Sequence, residues 1–245
     1  MNLLRKIFRI PLFLLWFGLA AVTCRAFNHG KKASERSLDW TRFWAKVMIL
    51  ILNLKVRVAG DAEKFSGGLI VANHQSYLDI LVLASTFRIR FAPKAEMRRW
   101  PLIGFMTQCN RPVWIDRSTP SKARFSAEAM SRTMESGQAM MVFPEGTTSD
   151  GKEGLLPFKS TSFQAVIDSK SAVLPVIISY NDFCRSDVQW FGHRSFLPHV
   201  WQVLGMKKIE AVIHILEPVS PQKDEERKTL AARVYDIMNE KWRSL

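Results

Sequence analysis

The chain has 245 residues, room for one α/β domain with an appendage or at most two small domains, and its 47% hydrophobic content supports a sizeable core. Lys and Arg total 35 against 22 Asp and Glu, a formal charge of +13 that favours an anionic partner: a membrane surface, nucleic acid or a phosphorylated substrate. Cys24, Cys109 and Cys184 are odd in number, far apart and without a CxxC pair. That usage argues against a disulfide framework or a structural zinc site and favours a reducing compartment.

A basic start (Arg5, Lys6, Arg9) precedes residues 10–24, fifteen positions without a charge and rich in Leu, Phe and Trp. The stretch is membrane-seeking but shorter than the roughly 20 residues of a straight helical span. Pro11 near its start suits a first helical turn. A secretory signal peptide has the same ingredients. Against it, Arg25, Lys31, Lys32 and Arg36 place positive charge on the far side too, and a second apolar segment follows. There, Trp40, Phe43, Trp44, Val47, Met48, Ile51, Leu52 and Leu54 are interrupted by Arg42, Lys46 and Asn53. Together the two segments predict a membrane-associated helical hairpin over 1–54 that lies in or dips into one leaflet. An ordinary core helix is the other reading of 40–54.

From residue 55 onward strands and helices alternate, which predicts an α/β domain over 55–245, a mixed sheet flanked by helices. Predicted strands are 55–60, 69–72, 89–92, 113–115, 139–143, 172–178 and 208–216, with Pro175 pointing to an edge or a bulge. Predicted helices are 77–86, 121–136, 160–168 and 224–242.

Two strand-to-loop corners carry the chemistry. At the first, Leu69–Ala72 runs into Asn73-His74-Gln75-Ser76, and the helical pattern resumes at Tyr77. His74 and Asp79 are five apart, and on one regular helix they would point about 140° away from each other. With His74 in the non-helical entry and Asp79 in the helix, the carboxylate reaches one ring nitrogen and leaves the other free as a base. The competing reading is a helix entry in which Asn73 and His74 cap and Asp79 is a solvated first-turn acid. At the second corner, residues 139–143 run into Pro144-Glu145-Gly146-Thr147-Thr148, where backbone amides around Gly146 and two hydroxyls suit an anion. A plain surface turn is the alternative there. Between the corners lies the most basic part of the domain: Lys94, Arg98, Arg99, Arg111 and Arg117.

Several elements thus stand in one order: Asn73-His74-x4-Asp79, Lys94 with Pro101 and Gly104, Val113-Trp-Ile-Asp-Arg117, Phe143-Pro144-Glu145-Gly146-Thr147, and Val173-Leu174-Pro175-Val176. The set resembles the glycerolipid acyltransferase family, whose bacterial members include 1-acylglycerol-3-phosphate acyltransferases. The resemblance implies His74 as general base, Asp79 as its orienting partner, and a substrate site made of Asn73, Lys94, Arg117, Glu145, Gly146, Thr147 and Thr148. It further implies a thioester co-substrate, acyl-CoA or acyl carrier protein, no other cofactor and no metal. The expected partners are membrane lipid and a lysolipid acceptor, at the cytoplasmic face of the inner membrane.

One departure concerns the acceptor. The family often has Arg where Thr148 stands. A subgroup with Thr at that place acylates lyso-ornithine lipid, and Asp150-Gly151, Leu156-Pro157-Phe158-Lys159 and Pro198-His199-Val200-Trp201 are similar to that subgroup. Two readings of another class are a non-catalytic peripheral protein that binds anionic lipid and a nucleic-acid-binding domain. The second rests on charge alone, since no nucleic-acid motif is present.

Overall fold

Six short apolar runs build one sheet: β1 (Leu54–Ala59), β2 (Leu69–Ala72), β3 (Ile89–Phe91), β4 (Ala139–Val142), β5 (Val173–Tyr180) and β6 (Ile209–Ile215). Their spatial order is β1-β6-β5-β2-β4-β3. All neighbours are parallel except β5 and β6, so the sheet is mixed. Every residue of β2 and β4 is buried, which is why both read as unbroken apolar runs. The structure, a computed structural model, describes residues 2–27, 33–61, 65, 67–100 and 103–245. Lys31, Lys32 and Pro101 lie outside the described residues.

Helices cover both faces of the sheet. On one, α2 (Ala33–Leu52), α3 (Leu78–Thr86), α7 (Asp182–Val188) and α8 (Phe196–Gly205) bury Met48, Leu83, Val188 and Val203 against Ile70, Leu174, Ile178 and Ile213. On the other, α5 (Pro120–Glu135), α6 (Phe163–Ser169) and α9 (Arg227–Arg243) bury Met130, Phe163 and Leu230 against Leu69, Met140, Val173 and Ile177. α5 starts where the Thr119 hydroxyl accepts from the Lys122 amide and Pro120 fills the first turn.

The structure corrects several expectations. α1 (Asn2–Phe27) runs well beyond the uncharged segment, because Arg5, Lys6 and Arg9 continue the helix, and Pro11 therefore lies in its interior. α2 is amphipathic: Ala45, Met48 and Leu52 join the main core while Phe43 and Leu50 are exposed. Residues 113–115 form no regular strand. Val113 and Ile115 donate to Phe91 and Pro93 carbonyls, but Pro93 and Pro112 lack the amides that would continue the ladder. Pro175 is not at an edge: β5 lies between β2 and β6. Its carbonyl accepts from Leu216 just past Val176↔Ile215, the last pair of that ladder, so the missing donor costs little.

The cysteine reading is also overturned. Cys24, near the end of α1, and Cys109, at the end of α4 (Ile103–Cys109), form a disulfide. Cys184 is free and buried. A separation of 85 residues hides this pairing from the sequence; folding brings the two helix ends together beside Trp40 and Trp44. Peptide mapping without reductant is expected to recover a linked Cys24–Cys109 pair. Reduction should lower stability by about 2–5 kcal/mol, read as a lower melting temperature.

Candidate active site

Strands β2 and β4 are parallel neighbours in the register Ile70↔Met141 and Val71↔Val142. Continued past the strand ends, that register carries the two corner loops side by side. The His74 and Phe143 rings stack with centroids 3.7 Å apart at 10°, and the His74 amide donates to Glu145 Oε1 at 2.8 Å. The Ser149 amide returns to the His74 carbonyl at 2.9 Å. One loop thus clamps the backbone and ring of the other.

Asp79 is the second residue of α3 and has no solvent exposure. Its Oδ2 accepts from the Gln75 amide at 2.7 Å, the Ser76 amide at 2.8 Å and His74 Nδ1 at 2.9 Å. Its Oδ1 accepts from the Tyr180 hydroxyl at 2.6 Å, and burial followed by this carboxylate pushes the Tyr180 phenol well above its usual range. The carboxylate folds the turn back on itself and holds His74 by one nitrogen. With Asp79 ionised, Nδ1 carries the proton and Nε2 presents a lone pair. The His74 side chain keeps 17% of its surface, enough to reach a substrate. Ser76 is fully buried and its hydroxyl accepts from the Leu78 amide, so it caps α3 and presents no nucleophile.

Neither Asn73 nor Asp79 plays the part that simple capping would give it. Asn73 is not a cap: it lies five residues before α3, and its amide group donates to the Ile178 carbonyl at 3.0 Å and accepts from the Ile178 amide at 2.7 Å. It is 1% exposed and ties the corner to β5 from behind, so it does not line a substrate site. Glu145 is likewise behind the wall. Its carboxylate accepts from the His74 and Leu156 amides and the Ser149 hydroxyl, although burial raises its proton affinity.

The Gly146 amide is also taken, donating to Phe143 within the turn. That leaves the Thr147 and Thr148 amides, which have no protein partner among the described residues, as the loop's open donors. Gly146 has φ +72, and a Cβ there would lie 2.7 Å from Lys159 Nζ. Lys159 is therefore a site residue that sequence reasoning did not single out. Its amide donates to Pro144, and desolvation, then the nearby Lys94 and Arg117 charges, lower its ammonium below the usual lysine range. Arg117, an exposed residue whose guanidinium is partly desolvated, is lowered as well. Lys159 thus lies against the Gly146 turn, within range of the Lys94 and Arg117 charges, which come from two other loops.

Residues 54–179 match the family described as Acyltransferase. The chain belongs to the acyltransferase family. It is 32% identical over 223 residues, 90% of this chain and 85% of the relative, to the lyso-ornithine lipid O-acyltransferase of Pseudomonas aeruginosa. It is 30% identical over 194 residues, 78% of this chain and 76% of the relative, to the 1-acyl-sn-glycerol-3-phosphate acyltransferase of Neisseria gonorrhoeae. The solved structure of the 1-acyl-sn-glycerophosphate acyltransferase PlsC from Thermotoga maritima shares the fold, with a TM-score of 0.71 at 22% identity over 99% of this chain and 95% of that one.

In this acyltransferase the Asn73 tie makes a direct prediction. Asn73→Leu leaves the Ile178 amide and carbonyl buried without partners, at about 1–3 kcal/mol each. Denaturant unfolding should show that loss, together with reduced activity as the corner shifts.

Proposed function

We propose that the protein is a membrane-bound O-acyltransferase that moves a fatty acyl group from acyl-CoA or acyl carrier protein to the hydroxyl of a lysolipid. The observation that carries this reading is the His74–Asp79 pair, with one imidazole nitrogen held by a buried carboxylate and the side chain still partly exposed. His74 Nε2 takes the proton of the acceptor hydroxyl as its oxygen attacks the thioester carbonyl. The new C–O bond forms, the C–S bond breaks, and the departing thiolate recovers the proton from the imidazolium. General-base assistance of this kind is worth about 10²- to 10⁴-fold. In this reading the Thr147 and Thr148 amides, which have no protein partner among the described residues, add oxyanion stabilisation, a second contribution of similar scale.

Lyso-ornithine lipid is the acceptor we favour, because Thr148 takes the place of a guanidinium and relatives of 30–32% identity carry that activity in their names. The second reading, acylation of 1-acylglycerol-3-phosphate to phosphatidic acid, draws support from the Lys94, Arg117 and Lys159 cluster, which suits a phosphate. The site of action is a membrane surface, supported by the long apolar α1.

His74→Ala in purified, detergent-solubilised protein should lower turnover by at least about 10²-fold with thioester donor and lysolipid. Near-normal turnover removes the mechanism. Offered both acceptors in one reaction, with products separated by mass spectrometry, the wild-type enzyme should convert lyso-ornithine lipid in preference to 1-acylglycerol-3-phosphate.

Lys159→Ala should raise the KM for an anionic acceptor about tenfold, the scale of one charge-assisted hydrogen bond, with a smaller effect on kcat. The lowered ammonium fixes the sign with pH: the cation is present below its pKa and is lost as pH rises through it. Acceptor binding therefore weakens on the alkaline side sooner than for an ordinary lysine, and Lys159→Arg should flatten that limb of the KM profile.

A further inference from the structure

α1 is tied to the rest of the protein at both ends. Near its start, Arg5 donates to the Gly205 carbonyl at 3.0 Å, and Arg9 to the Leu204 and Met206 carbonyls at 3.2 and 2.6 Å. These are the last two carbonyls of α8 and the one just past its end, groups that a helix terminus leaves without partners. Near its end, Cys24 is bonded to Cys109, and the Trp40 and Trp44 indoles donate to the Thr23 hydroxyl. Between the ties Ile10, Phe13, Trp16 and Ala20 face the protein, while Phe8, Leu14, Leu15 and Val22 are 57–70% exposed. A helix fixed in this way lies along the protein and cannot cross a bilayer away from it.

α8 continues this surface. Leu197 is 75% exposed and Trp201 50% exposed, one helical turn apart on the same face. The Lys6 ammonium lies 4.6 Å over the Trp201 ring, which joins α8 to the first turns of α1, where Leu3 and Ile7 are also exposed. The opposite face of α8 points inward: Phe196 packs on Tyr77 at 5.2 Å and His199 Nδ1 lies 3.1 Å from the Tyr77 hydroxyl. Tyr77 is in the turn between His74 and Asp79.

From this continuity we infer that the Leu197/Trp201 face of α8 is a lipid-contact surface. It enters the headgroup and upper acyl region beside α1 and seats the catalytic turn against the leaflet. The occupant is a bilayer with anionic lipid, because the patch is an exposed Leu and Trp flanked by Arg5, Lys6, Arg9 and Lys207, the amphipathic pattern of an interfacial helix. The inference rests on the membrane association in the proposed function and adds a contact outside the N-terminal hairpin.

The test is sedimentation of full-length protein with phosphatidylglycerol-containing vesicles, combined with quenching of tryptophan fluorescence by shallow brominated lipid. Leu197→Gln/Trp201→Gln should weaken vesicle binding by about 10²-fold or more, the order expected for withdrawing two large apolar side chains from lipid. Trp201→Phe should bind like wild type but lose part of the bromolipid quenching. Both positions are exposed, so unchanged circular dichroism and melting temperature separate lipid contact from misfolding. Wild-type binding that the double substitution leaves intact, with quenching unaltered in Trp201→Phe, overturns the α8 assignment while membrane association stands. Failure of the wild type to bind overturns both. A change from dimer to monomer in the double variant, with vesicle binding retained, assigns the face to a second copy instead and overturns the inference.

Discussion

Asp79 has no contact with solvent, so its charge is tolerable only where hydrogen bonds replace the lost hydration. Four donors do so: two successive backbone amides, one phenol and one imidazole. The amides shape the turn, the phenol of Tyr180 ties it to β5, and the imidazole is left in one orientation with one nitrogen exposed. The geometry of the corner follows from satisfying this carboxylate. A histidine held in this way enters a reaction already oriented, which removes part of the entropic barrier to proton transfer.

The second constraint is the parallel pairing of β2 with β4. Parallel neighbours end at the same edge of a sheet, where open α/β folds gather their ligand groups. Here the shared edge puts the His74 and Phe143 rings in contact and lets Glu145 hold the His74 amide. Asn73 and Glu145 form the buried scaffold, while the His74 side chain keeps part of its surface open. Lys159 reaches the Gly146 turn because the chain after that turn doubles back to pair with Pro144. Under the proposed function, that cation makes up for the guanidinium absent at residue 148, and its primary ammonium suits a carboxylate or a phosphate.

Under the proposed function and the inferred lipid contact, membrane seating and catalysis meet at α8. One face of this short helix packs on the aromatic side chain between the two residues of the catalytic pair, and the other is apolar and exposed. The arginines of α1 satisfy its C-terminal carbonyls, so the basic N-terminus works as part of the fold. This arrangement brings a reaction centre within reach of acceptors that do not leave the leaflet.

Much of this was legible in residue order. Apolar runs ending in polar corners located β2 and β4, the five-residue step from His74 to Asp79 required a non-helical entry, and the ordered motifs resembled the family to which the chain belongs. These signals are local, carried by periodicity and by residue types within a few positions. What the sequence left open depends on long-range contact. Cys24 meets Cys109, Asn73 meets Ile178, Arg9 meets Met206 and Lys159 joins Lys94 and Arg117 only after the sheet has formed. The sequence by itself determined the α/β class, the place of His74 and Asp79 at a strand-to-helix corner and the apolar character of α1. Tertiary structure alone decided which polar residues of the corners are buried supports, because that depends on partners brought from distant parts of the chain.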